Sequence, residues 1–105
     1  MNRFEVHLVT LDPTRGSEIR KTRPCLIVSP NEMNRHVRTV LVAPMTTGGK
    51  AYPTRVPVRF RGREAVIVLD QLRTVDKERV VESLGSLDEG VQDQVIAVLQ
   101  QMFAR

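Results

Sequence analysis

The sequence predicts a mainly β protein with an added helix: a small, strongly curved β-barrel of five or six short strands, ending in an amphipathic helix. Three observations carry this reading. Short apolar or alternating runs are fenced by Pro, Gly and Asp/Asn turn residues. A helical period emerges only near the C-terminus. The chain has 105 residues, 41% of them hydrophobic, and is expected to bury one modest core as a single domain over residues 1–105.

Taken in order, Phe4–Thr10 alternates, with Phe4, Val6 and Leu8 on one face and Glu5, His7 and Val9 on the other, and reads as a half-buried strand closed by Asp12-Pro13. Cys25–Ser29 is a short apolar strand fenced by Pro24 and Pro30. Val37–Met45 is the next strand, and Thr46–Lys50 a turn or mobile loop. Val56, Val58 and Phe60 alternate with Arg55, Pro57 and Arg59 in a strand over Thr54–Phe60, and Arg61-Gly62-Arg63 forms a hairpin tip leading into the apolar strand Ala65–Leu69. After Asp76 a short helical turn precedes a last strand near Val80–Leu84. Val91, Val95, Val98, Leu99 and Met102 share one helical face, and Ser86 with Glu89 has the spacing of a capping box.

Composition narrows the function classes. Cys25 is the lone cysteine and lies in an apolar run, so a buried, inert thiol and a reducing, cytoplasmic setting are expected. No apolar stretch is long enough for a membrane span and no signal-peptide pattern opens the chain. One Tyr, three Phe and no Trp leave few large anchors for a small core, so a homodimer is expected. Residues 1–63 carry twelve Lys/Arg against four Asp/Glu, whereas residues 64–105 carry four against eight. This basic N-terminal part suits a polyanion such as nucleic acid, or an acidic protein segment. Isolated His7 and His36 with one cysteine have no metal-ligand spacing, and P-loop and dinucleotide motifs are absent. His7 reads as a strand surface residue whose face can line a groove; neither histidine is assigned a catalytic role.

The most informative stretch is LDPTRGSEIRKTRPCLIVSP, Leu11 to Pro30. It places Ser17, Glu18, Arg20, Lys21 and Arg23 on one loop and its exit, and this mix of hydroxyl, carboxylate and cationic groups suits a phosphodiester. Pro24 restricts Arg23 to extended backbone, which helps aim its side chain at the loop mouth. Thr46 ends an apolar strand and can add a hydroxyl donor to the same groove. Guanidinium and hydroxyl donors can stabilise a pentacoordinate phosphorane when a neighbouring 2′-OH is the nucleophile, with no metal required. On the residues alone, a solvated loop cation at Arg23 and a plain strand-to-turn transition at Thr46 fit as well. Lys50 and Tyr52 lie on a loop that could close over a base; a packed turn tyrosine is the alternative.

The motif set resembles the MazF/PemK family of toxin endoribonucleases. The resemblance rests on Asp12-Pro13, Gly16-Ser17-Glu18, Arg23-Pro24, Ser29-Pro30, Pro44, Thr46-Thr47, Asp70-Gln71, Arg73-Thr74 and Asp76, in order and register over nearly the whole chain. It implies an SH3-like barrel, a homodimer, metal-independent cleavage of single-stranded RNA at short motifs to 2′,3′-cyclic phosphate and 5′-hydroxyl ends, and an acidic-tailed, MazE-like antitoxin partner. It further implies catalytic roles for Arg23, Thr46 and Glu18; Thr47, Asp70, Gln71 and Arg73 are expected to join Ser17, Arg20, Lys21, Lys50 and Tyr52 on the RNA-binding surface, although Asp70 fits equally as a buried turn-forming residue at a strand end. Because an arginine is a poor base, Arg23 is read as transition-state stabiliser and Glu18 as proton acceptor. The loop departs from the family pattern: Ile19-Arg20-Lys21 replaces flexible glycines with bulky, mostly cationic residues. Ser17 and Val68 stand where the PemK-like branch can carry a histidine and an arginine, so the Arg-Thr chemistry fits better. The alternatives are a gyrase-inhibiting toxin of the related CcdB type, disfavoured by the retained Arg23, Thr46 and Glu18, and a noncatalytic RNA-binding barrel, disfavoured by the scarcity of aromatics.

Overall fold

The computed structural model describes residues 1–48 and 51–105. Seven antiparallel strands form a curled sheet: β1 (Glu5–Thr10), β2 (Thr22–Ile27), β3 (Thr39–Thr46), β4 (Arg55–Phe60), β5 (Arg63–Val68), β6 (Arg73–Asp76) and β7 (Val80–Ser86). Their spatial order is β4-β5-β3-β2-β1-β7, with β6 also paired to β3. Two helices join them, α1 (Asn31–His36) and α2 (Glu89–Phe103).

The curl originates in β3. Its first half pairs with β6 through Thr39↔Asp76 to Val42↔Arg73, and its end pairs with β5 through Met45↔Ile67 and Thr46↔Val66. Pro44, which has no N–H to donate, falls at the switch between these partners. A 3-10 turn over Leu69–Gln71 carries the chain from β5 to β6 at the same place.

Side chains of β2 and of Val28, which follows it, alternate between two cores. Leu26 and Val28 join Val6, Ala43, Met45, Val56, Ile67, Leu69, Leu87 and Val95 on the face covered by α2. Cys25 and Ile27 join Val9, Leu11, Val40, Val42 and Val75 on the other face. Burial on both faces explains why Cys25–Val28 is continuously apolar. α2 seats Val95 fully and half-buries Val91, Val98, Leu99 and Met102, as its period requires.

Several boundaries differ from the sequence expectation. β2 begins three residues earlier, at Thr22, because β1 pairs with it as far as Thr10↔Thr22, so Pro24 lies inside the strand. β3 begins at Thr39, since α1 occupies the preceding segment. That six-residue helix is too short to show a period; it is held by Asn34, whose buried amide donates to the Ser29 carbonyl (2.9 Å) and accepts from Ser29 Oγ (2.5 Å). β6 is a separate strand where the sequence showed only a motif. The capping box is not formed: Ser86 ends β7, and Asp88 is the N-cap of α2 without a side-chain cap bond.

Candidate functional site

A groove of about 660 Å³ opens between the exit of the β1–β2 loop and the β4–β5 hairpin. Lys21 and Arg23 line one side, Thr46 and Thr47 the end of β3, and Arg61 and Arg63 the hairpin. Pro24, Met45, Phe60, Ala65 and Leu84 supply apolar surface. Among the described residues, four cations and no carboxylate line this groove. Such a surface attracts anions, and its apolar floor can receive planar groups.

Local structure orients the two leading residues. Arg23 Nε donates to the Arg20 carbonyl (3.2 Å), and among the described residues its two Nη groups make no hydrogen bond. Both remain available for bidentate donation. Its neighbour Cys25 is fully buried; burial pushes the thiol up to about 12, so it stays a neutral core group. Thr46 is fixed by its pairing with Val66, and its Oγ1 donates to the Gly48 carbonyl at 3.0 Å.

Glu18 lies elsewhere. It lines a second depression of about 240 Å³ with Ile19, Pro44, Asp70, Gln71, Leu72 and Arg73, none of which lines the first. Glu18 Oε1 accepts from the backbone N–H of Arg15 at 2.6 Å, a contact internal to the loop. Gln71 pins this loop: its Oε1 accepts from Ile19 N–H (2.7 Å) and its Nε2 donates to the Ser17 carbonyl (3.3 Å). Arg73 Nη1 donates to the Leu11 carbonyl at 3.2 Å, holding the loop's start. Lys21 holds a left-handed φ of 70°, and its N–H donates to Asp12 Oδ1 (3.1 Å). The Arg20 side chain is exposed, and only its carbonyl touches the site through Arg23.

Asp70 holds the opposite loop. Its carboxylate accepts from Thr54 Oγ1 (3.0 Å) and from Arg55 Nε and Nη2 (3.1 and 3.2 Å). The Arg55 hydrogen bond is the main reason the Asp70 carboxyl is held below its ordinary value. Arg55 also stacks on the Tyr52 ring, 4.6 Å from its centroid, which places Tyr52 against the protein and off the groove. Lys50 lies outside the described residues.

His7 corrects the surface reading. It is buried, because β2 and β7 flank it, and its Nε2 is 2.9 Å from Glu5 Oε1; it lines neither depression. His36 is exposed at the end of α1, away from both depressions. Among the described residues no group of three or more His, Cys, Asp or Glu is placed to hold a metal ion, and no helix is long and apolar enough to cross a membrane. Arg61 and Arg63 are the site residues that sequence reasoning missed. Their only sequence signal is the arginine density of Arg59-Phe60-Arg61-Gly62-Arg63 around a turn.

Comparison with known proteins gives consistent matches. Residues 2–103 match the model of the PemK-like, MazF-like toxins of type II toxin–antitoxin systems. The chain is 39% identical to the endoribonuclease PemK of Escherichia coli, an alignment covering 94% of this chain and 79% of that protein. It superposes on the crystal structure of MazF from Deinococcus radiodurans with a TM-score of 0.85 and 25% identity, over 97% of this chain and 94% of the other. A mycobacterial endoribonuclease in complex with its cognate antitoxin shares the fold, with a TM-score of 0.80 and 24% identity over 96% of this chain and 92% of the other.

Proposed function

Because this chain belongs to the PemK-like, MazF-like toxin family of type II toxin–antitoxin systems, we propose that it is an endoribonuclease toxin that cuts single-stranded RNA in the groove carrying Arg23 and Thr46. One observation supports this placement above others: Arg23, Thr46 and, among the described residues, three further cations and no carboxylate share one groove. The comparisons give the gyrase-inhibiting alternative no support.

In the proposed reaction the 2′-oxygen attacks the adjacent phosphorus as its proton leaves, and the bond from phosphorus to the 5′-oxygen breaks. The leaving oxygen takes up a proton, giving a 2′,3′-cyclic phosphate and a 5′-hydroxyl. No metal is assigned to these steps. The free Nη groups of Arg23 donate to the non-bridging oxygens, whose charge grows in the phosphorane. Thr46 Oγ1 exchanges the Gly48 carbonyl for a phosphoryl oxygen and adds a third donor. Glu18 is the proposed proton acceptor. Since it lines a separate depression, that role requires the loop to swing toward Arg23, and its bond to Arg15 would travel with it.

The same groove suits the acidic, apolar tail of an antitoxin, which would mimic the charge of RNA. A homodimer in the cytoplasm completes the proposal, supported by the small core and by exposed Val81 and Phe103. The test is incubation of purified protein with a long single-stranded RNA in EDTA. New 5′ ends that a kinase labels without prior phosphatase treatment are expected; intact RNA beside a folded protein would contradict the proposal.

A further inference from the structure

The β4–β5 hairpin ends in a two-residue turn, Arg61-Gly62, closed by the pair Phe60↔Arg63. Both turn residues have positive φ, 52° and 76°, the conformation that matches hairpin twist and favours Asn or Gly. An arginine at the first position is therefore conformationally costly, and such an outlier beside a candidate site invites a functional explanation. Arg61 and Arg63 both line the groove that holds Arg23.

Several other arginines are already committed to partners within the protein. Arg55 pairs with Asp70, Arg73 with the Leu11 carbonyl, Arg79 with the Thr10 carbonyl, and Arg3 with the Val28 carbonyl. The side chains of Arg61 and Arg63 make no hydrogen bond or ion pair among the described residues. Their platform is firm: β4 and β5 pair along six positions, and Phe60 packs against the core.

Resting on the ribonuclease reading, we propose that the Arg61-Gly62-Arg63 tip is a phosphate clamp that grips the RNA backbone beside the bond cut at Arg23. The clamp faces Arg23 across apolar surface, so bases lie between two cationic walls. It supplies affinity and register and leaves the chemical step to Arg23 and Thr46.

The test compares wild type with the double variant R61N/R63Q. Asn suits the left-handed turn position and Gln keeps the strand, so both charges go while the hairpin stays. R63Q alone is the second variant, and circular dichroism checks folding. Binding is measured with a labelled, fully 2′-O-methylated single-stranded RNA that cannot be cut by its own 2′-OH, and cleavage with the matching RNA. Near 0.1 M salt, KM is expected to rise about tenfold in the double variant, with kcat within about twofold. The log-log salt dependence of binding should become shallower by about 1.4, two single-strand phosphate contacts at about 0.7 each. R63K should retain the slope.

An unchanged KM and slope would overturn the clamp, as would a fall in kcat with KM intact. If wild type binds the methylated RNA with the expected slope change in the variant but cuts no RNA, the clamp stands and the ribonuclease reading falls. If wild type cuts RNA and the variant behaves identically, the reverse holds. Loss of binding to a labelled polyglutamate peptide with RNA binding intact would assign the tip to an acidic protein and overturn the proposal.

Discussion

Arg23 commits its Nε to the Arg20 carbonyl and keeps both Nη groups for the groove, the division of labour a bidentate phosphate donor needs. Arg23→Ala and Thr46→Ala should each lower kcat by about 10²–10³, the usual cost of one transition-state donor, with melting temperature little changed; comparable rates in folded variants would contradict their roles. Asp70 yields a pH signature. Its folded-state carboxyl lies below the ordinary 3.8, chiefly through the Arg55 hydrogen bond, so its contribution to stability is complete above that value and disappears as pH falls through the lowered one. Glu5, held below 4.5 mainly by its hydrogen bond to His7, acts in the same direction. Asp70→Asn should therefore destabilise at pH 7, and the gap from wild type should narrow below about pH 4; thermal melts across that range check it. Arg23, Thr46 and Glu18 were legible as candidates because their types and spacing make a motif. Arg61 and Arg63 were not, since only the curl of the sheet brings a hairpin thirty-eight residues away opposite Arg23.

At the level of elements, the 3-10 turn Leu69–Gln71 governs both loops beside the site. Gln71 fastens the β1–β2 loop at Ile19 and Ser17, and Asp70 fastens the β3–β4 connection at Thr54 and Arg55. Gln71→Ala removes two hydrogen bonds from the loop, so the Ile19 amide should exchange roughly three- to tenfold faster; unchanged exchange would show that Gln71 does not hold it. Arg61→Asn alone should leave stability equal or raise it by about 1 kcal/mol in a denaturant titration, because Asn tolerates the left-handed turn better. The strands β1 and β4 were readable from alternation, β5 from its apolar run Ala65–Leu69, and the hairpin from its Gly. The helix α1 was not, because six residues stabilised by Asn34 and Ser29 carry no period. Nor was β6, whose four residues become a strand only by meeting β3.

Across the whole molecule, one curled sheet separates two cores, and the groove holding Arg23 lies where the loops carry an excess of positive charge. The curl explains how segments far apart in sequence, Arg23, Thr46 and Arg61, reach one groove while Glu18 is carried to a separate depression. Composition foretold the basic side and the apolar periods foretold the helix, but neither encodes which loop faces which. A groove lined, among the described residues, by four cations also implies a steep loss of RNA affinity between low and physiological salt. The most direct test is single-turnover cleavage of one RNA in EDTA by wild type, Arg23→Ala and Thr46→Ala at matched folded concentration. Discrete cuts ending in 5′-hydroxyls for wild type, slowed at least a hundredfold in both variants, are expected. Cuts at undiminished rate in the Arg23→Ala protein would show that RNA is cleaved somewhere other than this groove.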